Sequence, residues 1–426
     1  MRSIVNKTLI TLALATLVLT GCTTKKQPEQ EQTPVTLRFG VPFQNSRADR
    51  YFVEAVERYQ QEHPHITVEV EPLASSSGVD AELFDSLQID AFLWIPDSTL
   101  VEGQEGPSVL SLDPFIARGN ELDEDAFFPD VLNAFRRGRE LYALPADLTL
   151  SLMYYNGDMF DAQGAAYPQP DWTWQDFLST AQQLTTIEGG GDSQTGHWGF
   201  VSHPTITSDV FMFVLQHGGV LVDDSLEVIS PVFDDPRLAE AIQWYADLGL
   251  VYKIMPVALS NKVVSGRRFP MDMFSLQEAA MIIGNPNDHY RTDIPWDFEW
   301  GVAPLPRDRV GATFMSVRGF YIAARTRHPQ EAWNLVRALS ESESGVFSWV
   351  PARRAQVESD AFRQRMGADM ADAVLYTLDH SELTQIYGRS APNWIGTFMT
   401  QLYWVTSGDI LADEMMDHLQ EEFADQ

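Results

Sequence analysis

One thiol, nine imidazoles and sixty carboxylates are the side chains with which this 426-residue chain could attack a bond, hold a metal or carry a proton. Their spacing serves none of these tasks well. Zinc hydrolysis of the HExxH type needs two His one helical turn apart with a Glu between them, and that motif is absent. No GxSxG turn offers a serine nucleophile, and no GxGxxG turn offers a dinucleotide cradle. The run GGGDS at 189–193 is not followed by GK[ST], so it reads as a loop rather than a phosphate site. Two carboxylates could cleave a glycosidic bond, but their separation is set by folding, and among sixty any two could be nominated. The expectation is no catalytic residue, no metal and no cofactor. A lipid-anchored carbohydrate-active enzyme is the alternative.

The thiol has its own setting. Arg2 and Lys7 precede an apolar run, Leu9 to Leu19, interrupted by Thr11 and Thr16 and closed by Leu19-Thr20-Gly21-Cys22. The run is shorter than the ~20 residues a spanning helix needs and fits the core of a signal peptide. Small residues suit the peptidase and the thiol suits diacylglycerol, so the stretch resembles a bacterial lipobox cleaved before Cys22. An ordinary secretory signal with a chance cysteine is the other reading. Residues 1–21 are then a lipoprotein signal peptide. Residues 22–34, the lipidated Cys22 and the polar TTKKQPEQEQTP, form a flexible tether with too little apolar area to fold. The expected location is extracytoplasmic, with lipid as the only membrane attachment. A net charge of −31 argues against nucleic acid, which needs a basic footprint, and against electrostatic attachment to anionic lipid.

The elements that must position any site follow from periodicity. VTLRFGV (35–41), ITVEVEP (66–72) and IDAFLWI (89–95) read as strands, with a helix over 51–62 between the first two. Strand, helix, strand in that order predicts an α/β fold with a parallel sheet. Thr173 and Asp176 form a capping-box pattern, and Asp235-Pro236 and His328-Pro329 open two further helices. GVLVDDSLEVISP (219–231) predicts a short hairpin.

Five stretches together are similar to the family 1 extracellular solute-binding proteins, the sugar receptors of ABC importers. They are LYALPADLTLSLMYYNGDMFDAQG followed by YPQPDWTWQDFLSTAQQLT, HGGVLVDD with FDDPRLAEAIQWYADL, LQEAAMIIGNP, WGVAPLPRD with SVRGFYIAARTRHPQEAWNLVRALSESESGVF, and Pro392-Asn393-Trp394. Their order and spacing cover nearly the whole mature chain. The resemblance implies two α/β lobes of the type II periplasmic-binding-protein fold, three interlobe crossings and a ligand cleft between the lobes. It puts the crossings near 147–149, 316–319 and 369–373. One lobe is then 35–147 plus 318–370, and the other 149–316 plus 371–426. It also implies a monomer that takes up a small-molecule solute, most simply a sugar or oligosaccharide, and hands it to ABC permease subunits without chemistry. A polyol, glycerol phosphate or peptide is the alternative solute.

A sugar has a hydroxyl rim and weakly apolar faces, so its receptor needs amides, carboxylates and rings. The loop after the first strand supplies Phe43, Asn45 and Arg47, and strand ends in open α/β sheets are where such groups collect. The remaining candidates rest on the resemblance. Trp94 and Asp97 match the position where family members present a ring and a carboxylate, a core Trp being the alternative. Asp147 and Thr149 fall on the first crossing, where Asp147 either binds solute or braces the hinge. Arg318 falls on the second. Ser208, with Thr207 and Asp209, matches a solute-contacting segment that equally suits a helix cap. Asn285 and Asn287 stand where maltose-type receptors carry an aromatic, so here amides replace stacking. Trp394 matches a late stacking aromatic. Trp172, Trp174, Trp198 and Tyr154 read as core.

Overall fold

A computed structural model describes residues 33–42, 47–73, 86–97, 99–102, 107–118, 122–188, 195–202, 207–220, 222–223, 230–257, 270–290, 294–342, 350–384 and 394–423. The signal segment, Cys22, the tether up to residue 32, Phe43 and Asn45 lie outside the described residues.

The alternating VTLRFGV forms β1 (Val35–Val41). Phe52, Ala55, Val56 and Tyr59 make one buried stripe on α1 (Arg47–Glu62), which stops before Pro64. Two strands follow, β2 (Ile66–Pro72) and β3 (Ala91–Trp94), the latter shorter at both ends than the periodicity suggests. β4 (Ala143–Leu150) and β5 (Leu152–Asn156) are separated by Ser151 alone. Thr173 and Asp176 close the expected capping box on α2 (Trp174–Leu184). Then come α3 (Thr207–Gln216) and α4 (Pro236–Leu250), the second capped by Asp235. The remaining core elements are β6 (Met281–Gly284), β7 (Trp300–Ala303), β8 (Ala312–Ile322), α5 (Pro329–Glu341) and α6 (Trp394–Ser407).

Among the described residues the larger sheet has seven strands. Its order is Val350–Pro351, β4, β8, β3, β1, β2, with Glu382–Thr384 against the first residues of β8. β1 is parallel to β2 and β3, as the strand-helix-strand pattern predicts, and β8 runs antiparallel to β3 and β4. The smaller sheet is β6-β5-β7, antiparallel throughout. The expected hairpin is present as Val222–Asp223 against Ser230–Pro231.

The buried side chains form two clusters. One gathers Phe39, Phe92, Val317 and Phe320, and the other gathers Phe177, Phe211, Phe314 and Tyr245. β8 therefore supplies residues to both. No helix among the described residues is long and apolar enough to cross a membrane.

Candidate functional site

Strand register brings four of the candidates to one edge. β1, β3 and β4 end on the same side of the larger sheet, and β8, running the other way, pairs Gly319 with Trp94, Arg318 with Asp147 and Ser316 with Thr149. The carboxyl edge thus collects Trp94, Asp147, Thr149 and Arg318, with Asp97 three residues beyond Trp94. This is where open α/β sheets bind ligands. Arg47 opens α1 one residue beyond the undescribed loop that follows β1, and Ser208 lies in the first turn of α3.

Asp147 and Arg318 engage each other. The Arg318 Nε donates to Asp147 Oδ1 at 2.8 Å, and Nη2 donates to Oδ2 at 2.6 Å. Both side chains are buried, and the guanidinium lies 5.5 Å from the centre of the Phe52 ring. A buried, bidentate pair of this kind is well satisfied, which favours the bracing role for Asp147. Asp97 is half-buried, and its Oδ1 accepts from the Thr99 backbone N–H at 2.9 Å and hydroxyl at 2.7 Å, so it caps the short helix Thr99–Glu102. Trp94 is only 8% exposed. It lies opposite Gly319, where a Cβ would come within 2.5 Å of the Phe135 ring, so glycine is needed for Phe135 to reach the sheet.

The smaller sheet contributes a second set. β6 is antiparallel to β5 with Gly284 opposite Leu152, so the turn after β6 lies beside the β4–β5 junction. In that turn the Asn285 N–H donates to Asp288 Oδ2 at 2.7 Å, and Asn285 O accepts from the Tyr154 hydroxyl at 2.7 Å. Asn287 is 9% exposed, and its Oδ1 has no hydrogen-bond partner among the described residues. Behind the turn Tyr154, His289, Trp296 and Trp300 pack together, every pair of ring centres lying between 4.9 and 6.3 Å apart. Burial among these rings pushes the His289 imidazole down to about 4, so it is neutral near pH 7. Sequence reasoning placed Tyr154 in the core, correctly, but missed His289, Trp296 and Trp300; the aromatic density of 289–300 was the available signal.

α3 is held at its start by a buried chain of hydroxyls. The Tyr245 OH donates to Ser202 Oγ at 2.8 Å, which donates to Asp209 Oδ2 at 2.6 Å. Ser202 follows Val201, which bridges Ile282 of β6, so α3 begins on the same side as the Asn285–Asp288 turn. Trp394 packs against Phe211 of α3 and against Phe233 and Phe398, at 5.6 to 6.5 Å between ring centres. It is 4% exposed, so its faces are covered rather than offered for stacking, and its Nε1 has no partner among the described residues. Trp172 and Trp174 are core as expected, in the second cluster, and Trp198 is half-buried against the first.

One His-x-His pair does occur, at His63 and His65. It is used in packing, His63 stacking on Tyr59 at 4.2 Å. Among the described residues no three His, Cys, Asp or Glu are grouped to hold a metal ion.

A two-lobed α/β fold with candidate polar groups at the carboxyl edge of its sheet is the architecture of a solute receptor. Residues 44–346 match the profile of the bacterial extracellular solute-binding proteins, and the chain belongs to that family. An arabinooligosaccharide-binding protein of Bacillus subtilis is 24% identical over 196 residues, which is 42% of this chain and 42% of that protein. The alignment thus spans less than half the length of that relative. Among solved structures, the sugar-binding protein MalE from Xanthomonas citri covers 91% of this chain and 96% of its own at TM-score 0.73 and 18% identity. An ABC substrate-binding protein from Listeria monocytogenes in complex with cycloalternan covers 92% and 98% at TM-score 0.68 and 18% identity. These likenesses establish the two-lobed fold. The relatives are binding proteins rather than enzymes, and the family is extracellular.

Proposed function

We propose that this chain is an extracytoplasmic receptor that captures a sugar or oligosaccharide between its lobes and delivers it to the permease of an ABC importer by hinge closure. The observation that carries the reading is the family match over 44–346. The gathering of Trp94, Asp147, Thr149 and Arg318 at the carboxyl edge of the larger sheet, with the Asn285–Asp288 turn beside the β4–β5 junction, supports it. The lobes are 35–147 plus 318–370 and 149–316 plus 371–426, and the chain works as a monomer without catalysis. Cys22 carries the lipid, and 22–34 tethers the lobes to the membrane beside the transporter. The name of the curated relative makes arabino-oligosaccharides the first solutes to try.

A thermal-shift screen over arabino-, malto- and manno-oligosaccharides, polyols, glycerol phosphate and peptides tests the reading, because a ligand that binds only the native state raises Tm. A saccharide shift without product on prolonged incubation is expected. A shift from a peptide alone would replace the solute class, and new saccharide products would replace the receptor with an enzyme. For the anchor, Cys22→Ala should release the protein or leave it unprocessed while solute binding persists in vitro. Retention of a processed, membrane-bound form would refute lipidation.

A further inference from the structure

We infer that His217 is a proton-dependent latch that fastens the loop 304–311, and with it the start of β8, to α3 and α4. The inference goes beyond the receptor reading and holds whichever solute is bound. His217 follows the last residue of α3. Its ring has a carboxylate at each nitrogen. Asp308 Oδ2 lies 2.5 Å from Nδ1, and Glu240 Oε2 lies 2.7 Å from Nε2. An ionised carboxylate only accepts hydrogen bonds, so both contacts are made only when both nitrogens carry hydrogen. A ring with a single hydrogen turns a lone pair toward an anionic oxygen at one of its two ends.

The other surroundings suit a cation. The His217 side chain is only 16% exposed. Trp174 of α2 lies nearly parallel to the ring, at 13° and 5.6 Å between centres, and Trp244 stacks behind Trp174 at 4.1 Å. An aromatic face of this kind attracts positive charge. The neighbouring charges have partners of their own. Arg237 pairs with Asp235 at the start of α4 at 2.8 Å, Arg309 reaches Glu240 Oε2 at 3.5 Å, and Asp176 of α2 accepts from Thr173. Arg307 takes part through its backbone, donating its N–H to Trp172 O and accepting from the Trp174 N–H. The hydrogen bond from His217 is the first reason that the Glu240 carboxyl lies below its usual range, so this acceptor stays ionised into mild acid. Glu240 is more exposed than Asp308, which makes the Asp308 contact the less screened of the two.

What the latch holds is the approach to β8. The Val310 N–H donates to Gln216 O at 3.1 Å, and Gln216 Nε2 donates to Ala312 O at 3.0 Å, both immediately beside His217. From Ala312 the strand goes on to pair with β4 and β3. Loss of the proton breaks one of the two charged contacts and leaves the loop on its backbone bonds. A fold that needs this proton loses stability as pH rises.

The test follows hydrogen exchange of the Val310 amide, as a protection factor, between about pH 5.5 and 8.5, the range in which an ordinary imidazole titrates. The whole folded chain is used, as wild type, His217→Gln and Asp308→Asn. Protection in wild type should fall severalfold as pH rises. The Tm advantage of wild type over His217→Gln should be roughly 2–4 °C at the acid end and should vanish at the alkaline end. Asp308→Asn keeps the ring in place, and its amide can donate or accept, so protection there should not depend on pH. Equal protection of wild type and His217→Gln at the acid end would overturn the inference. So would a ratio of protection between wild type and Asp308→Asn that stays constant with pH. If His217→Gln does not fold, that second comparison decides by itself.

Discussion

Asp147 and Arg318 stand opposite each other in register on β4 and β8 and close a bidentate pair across 171 residues of sequence. Immediately after Arg318 the register shifts, with Ala146 of β4 as the extra residue, so the pair sits at a bulge in β4. Removing one partner strands a buried charge, for which about 3–5 kcal/mol is typical. Arg318→Met and Asp147→Leu should each lower stability by roughly that amount in urea denaturation, and the double variant should recover much of it. Additive losses would show that the two do not act as a pair.

His289 predicts a pH dependence. Its folded pKa is lowered to about 4 from an ordinary 6.5 by burial among rings. The unfolded chain therefore binds a proton in a range where the folded chain does not, and stability rises with pH across that range. The contribution is complete above pH 6.5 and is lost as pH falls toward 4. Urea denaturation of wild type and His289→Gln at intervals between those values should give a difference that shrinks on acidification. A flat difference would mean that the imidazole is not held neutral by the fold.

Gly319 predicts a steric effect on the edge of the site. A methyl group there would meet the Phe135 ring at 2.5 Å, opposite Trp94. Gly319→Ala should cost about 1–3 kcal/mol of stability, as overpacking does, and should change Trp94 fluorescence. Pairing it with Phe135→Leu should relieve part of the loss. An unchanged melting temperature in Gly319→Ala would show that the ring moves aside freely.

The capping box gives a smaller, local prediction. Thr173 accepts from the Asp176 N–H, and the Asp176 carboxylate accepts from the Thr173 N–H and hydroxyl. These hydrogen bonds hold the Asp176 carboxyl below its usual range. Thr173→Ala should cost about 0.5–2 kcal/mol by thermal melting near neutral pH. The carboxylate's share should vanish as acid protonates Asp176, because a lowered carboxyl pKa stabilises only above the unfolded value. A Thr173→Ala loss that persisted undiminished in strong acid would assign the whole effect to the Thr173 hydroxyl.

Much of the fold was legible because it depends on local signals. β1 and β2 have the limits that alternation predicts, and the starts of α2, α4 and α5 carry their capping or proline marks in adjacent residues. The pairing of Asp147 with Arg318 was not legible, since nothing in either segment names the other and sixty carboxylates compete. The same holds for Trp394. A ring at that position reads identically whether a face is open or, as here, Phe211, Phe233 and Phe398 enclose it. Asp97 was proposed for its match to the family, while its engagement with Thr99 lay two residues away in the sequence as an ordinary cap.

The position of β8 between β3 and β4 has a consequence for how the chain matures. β3 and β4 are made early, but neither can complete its ladder until β8, ending at Ile322, has been synthesised and inserted between them. Until then each presents an open strand edge, the kind of surface on which chains mispair. The larger sheet therefore closes late, through contacts distant in sequence, and such topologies fold slowly. The first half of the chain therefore carries β1, β2, β3 and β4 but not the strand that joins β3 to β4.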